Sequence, residues 1–161
     1  MHTAILLMGG NTGDVRMVFE KAIEMMKKKG WIIQKASSVY SSVSWGYASK
    51  NIYYNQAIEI KTILEAETLL DQLLEIEKDL GRIRDQTTGY SDRNIDIDMI
   101  FYDDQVIETP RLTIPHPRMH VRNFCLVPVH EILPEFIHPV FNKTIADLLW
   151  ESPDTSEVKK P

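Results

Sequence analysis

Cysteine is nearly missing. Cys125 is the single one in 161 residues, so no intrachain disulfide can form, which fits a reducing compartment such as the cytoplasm. No apolar run approaches the length needed to cross a bilayer. The opening Met1-His2-Thr3-Ala4-Ile5-Leu6-Leu7-Met8-Gly9 has no basic segment, and its apolar run is too short for a signal peptide. Positive charge is not in excess either: 18 basic against 23 acidic residues give a net charge of −5. That balance argues against general binding to nucleic acid or to a membrane surface. There is no Gly-x-Ser-x-Gly elbow, and Cys125, within an apolar run, reads as core rather than nucleophile. Gly9-Gly10-Asn11-Thr12-Gly13-Asp14 lacks the Lys-Ser/Thr ending of a P-loop and the spacing of a dinucleotide fingerprint, so it reads as a structural turn. Repeats and low-complexity segments are lacking as well. What is left is an ordinary globular composition, which at this length predicts one domain over residues 1–150. A polar tail, 151–161, is expected to be frayed.

Periodicity supplies the elements. Residues 4–8 form a continuous apolar run, the mark of a buried strand. Asp14 is placed to cap a helix over 15–29, with apolar residues every three or four positions and Gly30 just beyond its end. Residues 31–43 read as one long strand, 44–51 as a loop and 53–60 as a further strand. Leu69, Leu73, Ile76 and Leu80 mark a second amphipathic helix over 65–80, closed by Gly81. A strand follows from Asp96 to Phe101, then a turn at Asp103-Asp104 and a short returning strand over 105–108. The segment 110–118 reads as extended and unpaired because of its three prolines. Helices are expected over 121–132, with Pro128 costing a kink or a break, and over 144–150. The order β-α-β-β-α-β predicts an α+β, ferredoxin-like sandwich: a mainly antiparallel sheet, helices on one face, and extra C-terminal elements.

The chemistry gathers around Arg93-Asn94-Ile95-Asp96-Ile97-Asp98. On a strand, residues i and i+2 share a face, so Asp96 and Asp98 set two carboxylates side by side, while Ile95, Ile97, Met99 and Phe101 make the other face a core face. Aspartate is depleted in strands, and adjacent carboxylates repel. A hard cation between them, Mg²⁺ above all, would relieve that repulsion; the competing reading is a solvated acidic edge. Arg82, Arg84 and Arg93 bracket a polar loop that leads to this pair and suits a lid over a polyphosphate. His116, between Pro115 and Pro117 and near Arg111, Arg118 and Arg122, reads as a phosphate or nucleotide contact. A zinc site from His116, His120 and Cys125 matches no common ligand spacing. Trp45, Tyr47 and Tyr53 lie in or beside the 44–51 segment, where aromatic rings could stack on a flat ligand.

These stretches together resemble the 6-hydroxymethyl-7,8-dihydropterin pyrophosphokinase family of folate biosynthesis. The resemblance runs from the first strand to about Leu148. It is carried by Arg93-Asn94-Ile95-Asp96-Ile97-Asp98 and by Arg111-Leu112-Thr113-Ile114-Pro115-His116-Pro117-Arg118-Met119-His120, continuing through Arg122, Phe124 and Val127-Pro128. Glu77, Gly81-Arg82-Ile83-Arg84, Tyr53-x-Asn55 and Gly9-Gly10-Asn11 add weaker matches in the same order. The sequence departs from the family pattern at Ser91-Asp92, where Gly or Ala and then a small residue or Pro is usual, and at Val43-Ser44-Trp45.

The resemblance implies transfer of the β,γ-pyrophosphoryl group of ATP to the pterin hydroxymethyl group, with release of AMP. It implies that Asp96 and Asp98 hold two Mg²⁺ ions, and that Arg82 and Arg93 take part in catalysis by contacting phosphate and closing the loop. Glu77, Arg84, Arg93, Arg111, His116 and Arg122 would serve the ATP site. Tyr53 and Phe124 would sandwich the pterin ring and Asn55 would bond its edge, while Ser42, Val43, Trp45 and Gly46 complete the pocket. A cytoplasmic monomer with no nucleic-acid or membrane partner is expected. Two alternatives stand beside it: a Mg²⁺-dependent nucleotidyltransferase on the same kind of sheet, and a non-enzymatic ferredoxin-like binding module.

Overall fold

A computed structural model of the chain describes residues 1–46, 49–81 and 95–161, with the backbone alone at 44–46 and 49–51. The apolar run at the start becomes β1, His2–Gly10, an interior strand of the sheet. It pairs antiparallel with β4, Ser49–Thr62, on one side and with β5, Asp96–Tyr102, on the other. Ala4, Leu6 and Met8 enter one core, Ile5 and Leu7 a second. Burial on both faces is why this strand shows no polar alternation.

Two helices build the first core. In α1, Val15–Lys28, the Asp14 carboxylate accepts the Met17 N–H at 3.2 Å, and the helix stops before Gly30, whose φ of 88° suits glycine. Val15, Phe19, Ala22 and Met26 form its buried stripe. In α2, Ala66–Asp79, Leu69, Leu73 and Ile76 pack beside them over the same sheet face. Each such side chain, fully buried, contributes roughly 1.5–3 kcal/mol. The strand order β5-β1-β4-β3 and the two helices over one face give the expected ferredoxin-like α+β arrangement. The C-terminal elements α3, Asn123–Ile132, and α4, Ile145–Glu151, cover the opposite face. There Cys125, Leu126, Val129, Ile145 and Leu148 meet Ile5, Leu7, Ala57, Ile100 and Phe101. Among the described residues, no helix is long and apolar enough to cross a membrane.

Several local expectations are corrected. Residues 31–43 form two strands, β2, Ile32–Ala36, and β3, Tyr40–Gly46, lying one after the other along the same edge of β4. Ser37 turns the chain between them. Its N–H donates to the Ala57 carbonyl at 2.8 Å, and its hydroxyl accepts the Ala57 N–H at 2.9 Å, so β4 stays satisfied across the gap. The supposed loop 44–51 is mostly strand: β3 runs to Gly46 and β4 begins at Ser49, opposite it. Phe101 does not share the face of Ile97 and Met99. The register against β1 slips between Ile5 and Leu6, which puts Ile100 and Phe101 in the second core and Tyr102 in the first.

Beyond β5, the short strand β6, Ile107–Glu108, pairs with β7, Thr113–Ile114, rather than returning along β5. Pro110 and Pro115 flank that two-residue ladder, so neither removes a donor from it. A 3₁₀ turn, Met119–Val121, precedes α3, and Pro128 does not end that helix. The tail is not frayed: β8, Val158–Lys159, pairs with Ser42 and Ser41 of β3.

Candidate active site

The first half of β5 puts Asp96 and Asp98 on the sheet face that α3 covers. Asp96 is half-buried and Asp98 exposed. In register, Gly9 lies between Asp96 and Asn55, and Tyr40 continues the row beyond Asn55. Two strand spacings separate Asp96 from Asn55, about 10 Å. Asn55 is buried and donates from Nδ2 to the Met8 carbonyl at 3.3 Å. A Cβ at Gly9 would sit 2.8 Å from that same Nδ2. Gly9, expected in a turn, is instead the strand position over which Asn55 lies. Tyr53 shares this face of β4, is 38% exposed, and stands opposite Ser42 of β3. Val43 is exposed beside Ser42, and Gly46 ends β3.

Glu77 lies beneath the acidic pair rather than open to solvent. It is 4% exposed on the inner face of α2, and its Oε2 accepts the Ile97 N–H at 3.1 Å. β5 is an edge strand, and Ile97 is the residue between the two aspartates. A carboxylate four positions after Leu73, on an otherwise apolar stripe, is the sequence signal for such a buried support.

His116 comes to the same place. Its N–H donates to the Ile100 carbonyl at 3.0 Å, tying the β7 segment to β5. The Arg118 N–H donates to His116 Nδ1 at 3.2 Å, which leaves the ring hydrogen on Nε2 as a donor. Burial lowers the pKa of His116; nearby Asp98 raises it, and Arg122 and Arg118 lower it further. The net effect is downward, so the ring is neutral at neutral pH. Arg122, just before α3, holds its guanidinium 5.6 Å from the Phe124 ring centroid, a cation–π arrangement that orders both side chains. Arg111 is half-exposed and ion-paired with Asp71 of α2. Arg82, Arg84 and Arg93 lie outside the described residues, as does the Trp45 side chain.

The donors suit a hard cation. Asp96 and Asp98 offer carboxylate oxygens only, and among the described residues no group of three potential ligands forms. Mg²⁺ takes one or two carboxylates readily when water and phosphate oxygens complete its shell. Two carboxylates, a histidine Nε2–H and the Arg122 guanidinium can meet a cation and an anionic group, while the Asn55 amide and the Tyr53 and Phe124 rings can meet a flat polar one.

The chain matches the model of the 7,8-dihydro-6-hydroxymethylpterin-pyrophosphokinase family over residues 5–134. It is 40% identical over 149 residues to a 2-amino-4-hydroxy-6-hydroxymethyldihydropteridine pyrophosphokinase of Synechocystis, covering 92% of this chain and 75% of the relative. A protein of the same name from Aquifex aeolicus is 36% identical over 147 residues, covering 91% of this chain and 90% of the relative. Among solved structures, Plasmodium falciparum HPPK-DHPS with pteroate superposes with a TM-score of 0.73 at 15% identity, covering 93% of this chain and 44% of that one. The likeness to it is one of fold, and the chain spans less than half of that protein's length.

Proposed function

The chain belongs to the 7,8-dihydro-6-hydroxymethylpterin-pyrophosphokinase family, and we propose that Asp96, Asp98, His116 and Arg122 form its nucleotide end while Asn55, Tyr53 and Phe124 form its pterin end. The activity is that of an ATP-dependent diphosphotransferase: the pyrophosphoryl group of ATP passes to the hydroxymethyl group of the dihydropterin in folate synthesis. The observation that carries the assignment of residues is the row Asp96–Gly9–Asn55. It puts the acidic pair and a hydrogen-bonding amide on one sheet face about two strand spacings apart.

In this reading Asp96 and Asp98 hold two Mg²⁺ ions. Bound there, Mg²⁺ would neutralise triphosphate charge and lower the pKa of the attacking hydroxyl. The protein's own work is positioning and charge compensation. Asn55 and the faces of Tyr53 and Phe124 orient the pterin so that its hydroxymethyl oxygen points towards the aspartates. The backbone of Ser42, Val43, Trp45 and Gly46 would supply contacts that complete that pocket. His116 donates from Nε2–H to a phosphate oxygen, and its Nδ1 is already engaged by the Arg118 N–H. Arg111 and Arg122 add fixed positive charge, and Arg82, Arg84 and Arg93 complete the phosphate contacts and exclude water. Glu77 serves the ATP site indirectly, by holding the Asp96-Ile97-Asp98 backbone. The reading includes a monomer working in the cytoplasm, in keeping with the single, buried Cys125.

The test is incubation of the folded protein with ATP, Mg²⁺ and 6-hydroxymethyl-7,8-dihydropterin, followed by nucleotide chromatography. AMP should appear only when all three are present. AMP formation unaffected by Asp96→Ala or Asp98→Ala would remove the metal assignment.

A further inference from the structure

The segment after α4 lies along the seam between α3 and β3. At its start Asp154 grips the first residue of α3. The Asn123 N–H donates to Asp154 Oδ2 at 2.8 Å, and Asn123 Nδ2 donates to the Asp154 carbonyl at 3.0 Å. Arg122, the N-cap residue, makes no side-chain cap, so Asp154 supplies from a distant part of the chain the acceptor that a helix start needs. Asp154 is itself held: its N–H donates to Ser152 Oγ at 3.2 Å, and the Ser156 N–H donates to its Oδ1 at 2.8 Å. Burial pushes the Asp154 carboxyl up, but the hydrogen bonds from Ser156 and Asn123 outweigh it and keep the group below the usual aspartate value.

Further along, Val158 and Lys159 pair with Ser42 and Ser41 of β3. Lys160 then reaches the far end of α3, with Nζ 3.3 Å from Glu131 Oε1 and 5.9 Å from the Tyr40 ring centroid. The segment thus follows α3 from its first residue to its last turn while bonded to β3. The two elements it joins carry opposite walls of the pterin pocket: Phe124 on α3, and Ser42 on β3, opposite Tyr53. The segment itself lies outside residues 5–134, the part that matches the family model, while the two elements it joins lie inside.

We propose that residues 152–160 act as a strap that sets the separation of α3 from β3, and that Asp154, by holding Asn123, is a positioning residue for the dihydropterin. It acts through the neighbouring Phe124 and through the strap's pairing with Ser42. The proposal rests on the pterin pocket described above.

The experiment compares wild type, Asp154→Ala and Asp154→Asn in steady-state assays varying each substrate, with urea unfolding of each variant. Asp154→Ala should raise KM for the dihydropterin about three- to ten-fold, the scale of a lost helix cap, and leave KM for ATP within about two-fold. Asp154→Asn keeps an acceptor oxygen for the Asn123 N–H and should recover most of that loss. Deleting residues 157–161 should raise the same constant by removing the Ser42 pairing. Equal rises in both KM values, or an Asp154→Asn protein as impaired as Asp154→Ala, would reduce Asp154 to a general stabiliser and overturn the proposal. A dihydropterin KM in Asp154→Ala equal to that of wild type would overturn the strap alone. A wild type that releases no AMP would overturn the pocket reading and the strap with it.

Discussion

Gly9 and Asn55 are paired across β1 and β4 so closely that a methyl group on the first would lie 2.8 Å from Nδ2 of the second. Neither strand has room to yield, since Met8 and Ala57 beside them are fully buried. Gly9→Ala should therefore push Asn55 out of place, costing about 1–3 kcal/mol of stability and raising KM for the dihydropterin more than KM for ATP. Urea unfolding and substrate-varied kinetics read the two effects. A Gly9→Ala protein with unchanged pterin KM would show that Asn55 is not a pterin contact.

The Glu77 carboxylate predicts a graded series. Glu77→Ala leaves the Ile97 N–H without its buried acceptor, which should cost about 1–3 kcal/mol and lower kcat by loosening the aspartate pair. Glu77→Gln retains an acceptor oxygen and should lie between Glu77→Ala and wild type. Asp98→Asn, by contrast, alters an exposed group and should lower AMP formation by at least about a hundred-fold with little change in unfolding. Wild-type kcat in Glu77→Ala would separate the support from the chemistry.

Arg111 is half-exposed and engaged with Asp71, so binding ATP through this arginine must compete with an existing ion pair. Asp71→Asn should lower KM for ATP by about two- to five-fold, the scale of an exposed ion pair, and the gain should shrink in high salt. Arg111→Ala should raise the same constant. If Asp71→Asn left KM for ATP unchanged at low salt, Arg111 would have no part in the nucleotide site.

His138, which is not among the proposed site residues, predicts a pH-dependent stability. It is 3% exposed, lies edge-on to Phe101 and stacked on Phe141, and its Nδ1 accepts the N–H groups of Val140 and Phe141, each at 3.1 Å. Burial, helped by His120, pushes its pKa down to about 4. The unfolded chain takes up this proton near pH 6.5 and the folded chain only near pH 4. Stability should thus be full above about pH 6.5 and fall by up to about 3 kcal/mol as pH drops towards about 4. His138→Asn, which can still accept both N–H groups, should flatten this part of the urea-midpoint profile. An unchanged slope in the variant would assign the effect elsewhere.

The parts legible in the sequence are those set by local periodicity. Alternation put Asp96 and Asp98 on one face, and the Asp14 cap and Gly30 bounded α1 because both signals lie within a turn of the helix. What could not be read depends on partners distant in sequence. Ser37 breaks a strand without breaking its alternation, because its bonds go to Ala57. The cap of α3 comes from Asp154 rather than Arg122, and the Nε2–H form of His116 follows from the fold of the His116–Arg118 turn. The 151–161 segment has the composition of a free tail, yet its backbone finds an open strand edge and its carboxylate an open helix end.

The register slip in β5 divides that strand into two parts with different tolerances. Up to Met99 the strand presents its carboxylates under one alternation; after Ile100 the alternation is reset, and Tyr102 turns to the other layer, where its hydroxyl donates to the Leu64 carbonyl at 2.7 Å. Changes of size in Phe101 or Tyr102 can be absorbed in their separate cores without rotating Asp96 or Asp98. Ile100 is the extra residue of that slip, so its deletion would leave Phe101 and Tyr102 opposite Ile5 and Ala4 and facing the cores they face now. Sequence drift in the packing part of β5 is thereby insulated from the acidic part, which can stay fixed while its surroundings diverge.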